Sequence, residues 1–365
     1  MIINGQHFHT IWVDENNPEI IRVIDQQKLP FEFSIKTLKT FDDAFSAIKE
    51  MVVRGAPLIG VTAAYGIYLG TMALTETVSD SDHLAQLCSK MKTARPTAVN
   101  LSWAVDEMYS ALKNRKSIAE LQKVAFEKAN EIKQFEIDCC SRIGDFGLPL
   151  IEEISMKKNG GTVNILTHCN AGWLACIDWG TALAPIYKAH QKGIAVHVWV
   201  DETRPRNQGS KLTAFELQQE GIAHTVIVDN AGGHMMQHGM VDMVIVGSDR
   251  TTRSGDVCNK IGTYLKALAA HDNAIPFYVA LPSSSIDFSI SDGLTEIEIE
   301  ERDAEEVKFI EGKGVKAQIV PDGSNVSNYG FDVTPARLIT GLITERGICV
   351  ANEKEIGELY KVLYL

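Results

Sequence analysis

Several features that mark large classes of proteins are missing from this sequence. Its 365 residues contain neither Gly-x-Gly-x-x-Gly nor Gly-x-x-x-x-Gly-Lys-[Ser/Thr], so nothing supports binding of a dinucleotide or of a nucleotide in a P-loop. The seven cysteines include no Cys-x-x-Cys pair, and no basic segment followed by an apolar run opens the chain. These absences favour a protein of the reducing cytosol.

A net positive charge is missing too. The sequence carries 35 lysines and arginines against 47 aspartates and glutamates, which gives a formal net charge of −12. Nucleic acids and anionic membranes bind clustered positive charge, so neither is an expected partner. An anionic ligand would have to be held by a few placed cations.

One uncharged segment is long enough to raise the question of a membrane span. The run from Leu58 to Leu74 falls short of the roughly 20 residues that a spanning helix needs, and it contains Thr62, Tyr65 and Thr71. We therefore predict a buried helix here, for which a contact between subunits is one location.

The length of the chain predicts about two folded domains. In the first part, a short strand at Ile11–Val13 precedes apolar residues at the helical period, beginning with Phe41, Phe45 and Ile48. Similar spacing recurs from Leu84, Ala98, Ile118 and Ile143. Residues 1–145 are therefore predicted to form a mainly helical domain with a small β-sheet.

After Gly160-Gly161 the pattern changes to short β-branched runs separated by amphipathic stretches. The runs cover Thr162–Thr167, Ala195–Val200, Thr225–Val228, Met243–Val246 and Phe277–Ala280. Apolar strands that alternate with helices are typical of a parallel sheet covered on both faces. We therefore predict an α/β fold in which residues 146–365 form a Rossmann-like domain that binds its ligand beyond the carboxyl ends of the strands.

Reactive groups follow two of these strands directly. Asp249 comes after an apolar strand, where burial could keep its carboxyl neutral and able to donate a proton; the alternative is that it pairs with Arg250 or caps a turn. Cys169 begins a turn into a helix expected near Trp173, whose amides could stabilise a thiolate or an enolate oxygen. The alternative for Cys169 is an unreactive core residue.

Two further segments could bind phosphate at predicted helix starts. Arg54-Gly-Ala-Pro57 places a cation and a flexible glycine before the apolar helix, with Pro57 in its first turn; a surface arginine is the alternative. Asn259 and Lys260 precede a helix expected over Ile261–Ala269 and could hold phosphate or sugar hydroxyls, although Lys260 taken alone suits a solvated lysine.

The sequence does not predict a metal site built from histidines. His234 and His238 have the i, i+4 spacing of a helical ligand pair, but Met235 and Met236 lie between them and no His-Glu-x-x-His carboxylate accompanies them. Metal dependence is therefore not predicted. His168 lies next to Cys169 on an extended segment, where neighbours point to opposite faces, so a structural role is favoured.

Six motifs follow one another along the chain: Arg54 to Pro57, Arg95 to Leu101, Thr167 to Gly172, Glu202 to Gly209, Ser248 to Arg250 and Gly255 to Thr263. Together they resemble those of the methylthioribose-1-phosphate isomerase family. The likeness continues through Glu345-Arg346, and so covers all but the termini. Two departures, at Ser248 and at Tyr329-Gly330, leave open which group the sugar carries on carbon 5.

The resemblance implies a cofactor-free, cytoplasmic, homodimeric enzyme of methionine salvage that isomerises an aldose 1-phosphate to a ketose 1-phosphate. It implies Asp249 as the general acid or base and Cys169 as the thiol beside the reacting carbons. The substrate contacts that it implies are Arg54, Gly55, Ala56, Arg95, Gln208, Asn259 and Lys260. 5-Deoxyribose 1-phosphate and ribose 1,5-bisphosphate are alternative substrates, and a non-catalytic regulatory subunit of the same superfamily is the alternative from another class.

Overall fold

Helices dominate the first part of the chain and a large sheet dominates the rest. The structure is a computed structural model that describes residues 1–3, 5–74, 81–115 and 117–361. The described strands of the first part are β1 (Ile2–Ile3), β2 (Gln6–His7), β3 (Ile11–Val13), β4 (Ile21–Ile24) and β5 (Ile35–Leu38). The helices are α1 (Phe41–Lys49), α2 (Ala56–Met72), α3 (Ser81–Lys92), α4 (Val99–Leu112) and α5 (Ile118–Lys157).

The helices of the first part form one core around α2. Helix α1 starts at Phe41 because the Thr40 hydroxyl accepts the Asp43 N–H and the Asp43 side chain bonds back to the cap. Helix α2 is apolar all round, and 16 of its 17 residues are buried within this chain. The buried helix predicted at Leu58–Leu74 is confirmed. Because α2 has no exposed face, a contact between subunits through this helix is ruled out.

The second part contains thirteen described strands and seven described helices. The strands are β6 (Val163–Thr167), β7 (Val196–Asp201), β8 (Ala223–Ile227), β9 (Met243–Val246), β10 (Arg250–Thr252), β11 (Val257–Lys260), β12 (Phe277–Ala280), β13 (Ile286–Asp287), β14 (Phe309–Gly312), β15 (Val315–Gln318), β16 (Phe331–Thr334), β17 (Gly341–Thr344) and β18 (Gly347–Cys349). The helices are α6 (Ala184–Gln191), α7 (Ala214–Gln219), α8 (Gly232–Gln237), α9 (Thr263–Asp272), α10 (Gly293–Glu296), α11 (Glu305–Lys308) and α12 (Glu353–Tyr360).

Seven strands form the main sheet, in the order β18-β17-β12-β9-β6-β7-β8. All neighbours are parallel except β17 and β18. Helices α5, α6 and α7 bury one face of the sheet, and α8, α9 and α12 bury the other. The order reverses beside β6, as in doubly wound sheets, and this places the ends of β6 and β9 next to each other. The predicted α/β class is confirmed.

A smaller sheet lies beside the main one and changes the expected position of two candidate residues. Its order is β13-β10-β11-β16. Asn259 and Lys260 are the last residues of β11 and pair with Asp332 and Phe331 of β16. The expectation that they stand at a helix start is therefore wrong: the left-handed Gly262 separates β11 from α9, which begins only at Thr263.

Two other local predictions need correction or comment. The helix expected near Trp173 is only a 3₁₀ turn over Trp173–Ala175, and the next α-helix begins at Ala184. The helical patterns from Ile118 and Ile143 belong to the single helix α5, which runs through the predicted domain boundary at residue 145. Among the described residues, no helix has both the length and the apolarity to cross a membrane.

Candidate active site

The carboxyl ends of β6 and β9 bring Cys169 and Asp249 to the same edge of the main sheet. Cys169 follows β6 in a left-handed conformation, with φ of 66°, which turns the chain sharply away from the sheet. Asp249 lies between β9 and β10, and its backbone N–H donates to the Cys258 carbonyl at 3.0 Å. Both residues are thus fixed by backbone geometry at the place where the sequence predicted ligand binding.

Burial favours the protonated form of the Asp249 carboxyl. Removal from water raises the pKa of Asp249, although the charges of Lys260, Arg95 and Arg54 act in the opposite direction. The alternative in which Asp249 pairs with Arg250 is wrong, because the Arg250 guanidinium binds Asp287 through Nε at 3.0 Å and Nη2 at 2.5 Å. Asp249 is therefore left facing the cavity.

The Cys169 thiol is buried and neutral. Burial raises the pKa of Cys169, and the thiol donates to Gln208 Oε1 at 3.7 Å. The Cys169 N–H donates to the Thr203 hydroxyl at 2.8 Å, and its carbonyl accepts from the Thr213 hydroxyl at 2.7 Å. This turn is held at both ends, so the sulfur has a fixed position.

The backbone amides expected to stabilise a thiolate serve another group. The N–H groups of Trp173 and Leu174 both donate to the buried Glu216 carboxylate at 3.0 Å, so the expectation that they act on Cys169 is wrong. Glu216 also accepts from Asn170 Nδ2 at 2.8 Å and from the Tyr187 hydroxyl at 2.5 Å. Burial raises the pKa of Glu216 to about 6.

Arg54 is a buried cation rather than a surface arginine. Its guanidinium donates to the side-chain oxygen of Asn170 and, at 2.7 Å, to the Asn170 carbonyl. The next residue, Gly55, has φ of 96°, and a Cβ there would lie 2.4 Å from the Ala175 carbonyl oxygen. Only glycine allows this close approach, which places Ala56 and Pro57 in the first turn of α2.

Two more cations are buried nearby. Arg95 lies 3.4 Å from Glu300 through Nη2, and its Nε has no hydrogen-bond partner within the described part of the chain. Lys260 donates to the Gly330 carbonyl at 2.8 Å and lies 4.8 Å from the centre of the Phe331 ring. Burial lowers the pKa of both Arg95 and Lys260. The expectation of a solvated Lys260 is therefore wrong.

Six of the candidate residues line two cavities. Gly55, Ala56, Arg95 and Asp249 line one, together with the apolar side chains of Ile59, Ala98, Ile297 and Phe331. Arg54 and Gln208 line a second cavity of about 390 Å³. Arg54 of the second cavity and Asp249 of the first both act electrostatically on the Cys169 thiol, as does Lys260. The thiol is therefore close to residues of both cavities. Cys169, Asn259 and Lys260 line neither cavity, and the Asn259 amide donates to the Thr263 hydroxyl at 3.0 Å.

His168 has a structural role, as the sequence indicated. Its Nδ1 lies 2.8 Å from Asp201 Oδ2, and its Nε2 lies 2.8 Å from the Ile261 carbonyl. The ring thereby ties the turn after β6 to the segment that follows Lys260. The Lys266 ammonium lies 3.1 Å from Asp201 and supplies the positive charge of this cluster.

The sequence reasoning missed the residues that support the site. Asn170 was part of a quoted motif, but nothing indicated that it would hold Arg54. Glu216 lies in the short helix α7 and has no local signal, because its four donors come from two other segments of the chain, the connection after β6 and helix α6. Such a partner set exists only after folding.

Comparison with known proteins gives a consistent result. Residues 52–351 match the model of the initiation factor 2 subunit family. The chain is 56% identical to the methylthioribose-1-phosphate isomerase of Desulfatibacillum aliphaticivorans, over 99% of each sequence. The crystal structure of 5-methylthioribose 1-phosphate isomerase from Pyrococcus horikoshii OT3 superposes with a TM-score of 0.85 at 34% identity, over 98% of this chain and 97% of that one. The structure named translation initiation factor eIF-2B, subunit delta, from A. fulgidus superposes with a TM-score of 0.79 at 36% identity, over 97% of this chain and 100% of that one.

Proposed function

Because this chain belongs to the initiation factor 2 subunit family and, within it, to the methylthioribose-1-phosphate isomerases, we propose that it converts 5-methylthioribose 1-phosphate into 5-methylthioribulose 1-phosphate. The reaction belongs to methionine salvage, and we place the enzyme in the cytoplasm. The chemistry is assigned to the chain's own side chains, on the Rossmann-like scaffold. The observation that carries the assignment is a group of three buried cations around the Asp249 carboxyl, whose pKa is raised by burial.

The excess of buried positive charge supports a phosphate ligand. Arg54, Arg95 and Lys260 are each at most 8% exposed in a protein of net charge −12. Buried cations are normally paired, yet Arg54 and Lys260 bind neutral carbonyl groups, and Arg95 has a single contact with Glu300 at 3.4 Å. A sugar phosphate dianion would supply the missing negative charge and accept charge-assisted hydrogen bonds.

Asp249 suits the step that opens the sugar ring. The anomeric oxygen of an aldose 1-phosphate is esterified, so the ring opens only when the ring oxygen accepts a proton as its bond to carbon 1 breaks. Burial raises the pKa of Asp249 and so favours the protonated form, from which the carboxyl can donate to that oxygen. The carboxylate formed can then take the proton of the 2-hydroxyl, which returns Asp249 to its starting state.

The neutral Cys169 thiol favours transfer of hydride over abstraction of a proton. A protonated thiol is a poor base, so it does not readily remove the hydrogen of carbon 2. After ring opening, that hydrogen moves with its electron pair from carbon 2 to the electron-poor carbon 1, and carbon 2 becomes the ketone as its hydroxyl loses a proton to Asp249. Cys169, held by Gln208, then shields this step from water.

The cavity beside Asp249 favours an apolar group on carbon 5. Ile59, Ala98, Ile297 and Phe331 contribute apolar surface to it, and Arg95 and Arg250 are its basic side chains. Arg250 is already paired with Asp287, so a second phosphate would have little free charge to bind. Burying a thiomethyl group is favourable in such a lining, whereas ribose 1,5-bisphosphate is disfavoured.

The test is kinetic and includes the alternatives. We would measure kcat/KM for 5-methylthioribose 1-phosphate, 5-deoxyribose 1-phosphate and ribose 1,5-bisphosphate in the wild type and in Asp249→Asn. Asp106→Asn, which changes an exposed carboxylate, is the matched control. Preference for the thiomethyl sugar supports the proposal, and preference for either other sugar changes the substrate but keeps the chemistry. No turnover of any sugar contradicts the proposal and favours the regulatory role. We also propose a homodimer, which sedimentation velocity would test.

A further inference from the structure

A second cluster of polar side chains lies away from the cations around Asp249. Strand β2 ends at His7, and His9 follows two residues later, before β3 begins. Asp178 belongs to the segment between β6 and α6 and faces both histidines. We propose that His7, His9 and Asp178 bind a divalent transition-metal ion, with Zn²⁺ as the expected occupant.

Two of the three distances between the donor atoms match a tetrahedral zinc site. His7 Nε2 lies 3.3 Å from Asp178 Oδ2, His9 Nε2 lies 3.4 Å from the same oxygen, and all three donor atoms lie within 4.8 Å of one another. Ligands about 2.0–2.1 Å from a tetrahedral zinc ion are about 3.4 Å apart. The ion would therefore fit with little movement of the backbone. The distances are also longer than a normal N–H···O hydrogen bond.

The sequence and the local structure present both rings on one side. Residues i and i+2 of an extended chain point the same way, which suits the His-x-His spacing of His7 and His9. Their ring centres are 5.2 Å apart with the planes at 81°, so two nitrogens can approach one ion without stacking of the rings. Two imidazoles and a carboxylate are a common donor set for zinc.

Asp178 is oriented as a metal-binding carboxylate usually is. Its Oδ1 accepts the Trp179 N–H at 2.9 Å and the Met1 amino group at 3.3 Å. These bonds occupy Oδ1, so the other oxygen, Oδ2, faces the two histidines. Hydrogen bonds of this kind fix the ligand and increase metal affinity. Since a cavity of about 230 Å³ borders His7 and Asp178, water has room to complete the coordination.

The other histidine groups of the described structure do not share these properties. In the cluster of His168, Asp201 and Asp229, the Lys266 ammonium lies 3.1 Å from Asp201 Oδ2, the same oxygen that faces His168. At Asp178 the Met1 amino group binds Oδ1 instead and leaves Oδ2 to the histidines. In the exposed pair, His238 Nδ1 bonds the His234 carbonyl at 2.8 Å, and no carboxylate joins the two rings in a ligand group among the described residues. This pair is a matched control.

Metal binding would join two distant parts of the chain. His7 and His9 belong to the N-terminal hairpin, and Asp178 lies in the same connection between β6 and α6 as Cys169. The ion would therefore attach the hairpin to the segment that carries the thiol. Because it binds the folded chain, it should raise the melting temperature.

The experiment is calorimetric titration of the untagged, full-length chain with zinc chloride. We expect a single ion per chain, with affinity lowered about 10–100-fold or more in His7→Ala, His9→Ala and Asp178→Asn, and unchanged in the double variant His234→Ala/His238→Ala. Circular dichroism confirms that each variant is folded, and the exposed His7 gives the variant with the least effect on packing.

Cobalt chloride provides a second readout on the same proteins. A tetrahedral Co²⁺ spectrum in the wild type, weakened in the ligand variants, supports the proposal. It is overturned if the wild type binds no Zn²⁺, or if affinity is kept in all three ligand variants. Loss of binding in the control pair alone would assign the metal to that pair and would also overturn it.

Discussion

The Arg54 guanidinium binds both carbonyl groups of Asn170, one in the side chain and one in the backbone. Arg54 precedes α2 of the helical part, and Asn170 follows Cys169 at the end of β6. This pair therefore fixes a buried cation of the first part to the turn that carries the thiol of the second part. Glu216 holds the other end of the Asn170 side chain.

Replacing Glu216 with glutamine should destabilise the protein although the shape is conserved. Each carboxylate oxygen accepts two donors, and the amide nitrogen of glutamine would meet two of these donors instead of accepting from them. We expect a loss of about 2–4 kcal/mol in the free energy of unfolding, measured in urea. Glu127→Gln, on an exposed surface, should change it by less than about 0.5 kcal/mol. Equal stability of the two variants would contradict the role of Glu216.

Asparagine in place of Asp249 should remove the proton donor. We expect kcat/KM to fall about 10²–10⁴-fold, with Asp106→Asn unchanged. The raised pKa also sets the direction of the pH dependence: the carboxyl must be protonated in the free enzyme, so kcat/KM should decline as pH rises through the pKa of Asp249. A pH profile of the residual activity in the variant should lack this decline. The same decline in both proteins would exclude Asp249 as the donor.

Deuterium at carbon 2 of the substrate should remain in the product. If hydride moves directly from carbon 2 to carbon 1, the label appears at carbon 1 and is not diluted by the solvent. The neutral state of Cys169 is the reason for this expectation. Mass spectrometry and proton NMR measure the deuterium at carbon 1 of the product. A parallel reaction of unlabelled substrate in D₂O measures deuterium taken up from the solvent. Incorporation of solvent deuterium at carbon 1 would show a proton transfer through a base instead.

Alanine at Gly55 should damage the start of α2. The new Cβ would lie 2.4 Å from the Ala175 carbonyl oxygen, in addition to the strain of φ at 96°. Gly193→Ala is the matched control, because Gly193 has φ of 79° and no atom within 4 Å of the position of a Cβ. We expect the control to lose about 1 kcal/mol and Gly55→Ala to lose at least about 2 kcal/mol more, with lower kcat/KM. If thermal unfolding shows that Gly55→Ala and Gly193→Ala lose a similar free energy of unfolding, the close approach at Gly55 does not contribute to stability.

Glu136 should make the protein less stable as pH rises through neutrality. Burial raises its pKa from 4.5 to about 7, and the carboxyl accepts from Ser284 at 2.6 Å and from Asn100 at 3.0 Å. The folded state therefore binds a proton more tightly than the unfolded state. The stabilisation is complete below pH 4.5 and is lost as pH rises towards and through about 7.

The comparison of Glu136→Gln with the wild type isolates this effect. Between pH 4.5 and 8 the wild type should lose about 3 kcal/mol more than the variant, which has no proton to lose at this position. Urea unfolding at both pH values measures the difference. A constant difference between the two proteins across this range would contradict the assignment.

The sequence by itself determined the class of fold and the position of the two candidate reactive groups. Strand and helix periods report burial directly, so β9, β12 and the apolar α2 were predictable from spacing alone. Because ligands bind beyond the carboxyl ends of parallel strands, the same pattern indicated Cys169 and Asp249. The ordered motifs added the chemistry by resemblance.

Only the tertiary structure decided the state and the partners of these groups. Local sequence did not show that Lys260 ends a strand, that Arg250 binds Asp287 or that the amides near Trp173 bind Glu216. Each of these facts depends on contacts between residues far apart in the chain. Protonation depends on them too, because burial and neighbouring charges set the pKa values of Asp249 and Cys169, and both arise only when the chain has folded.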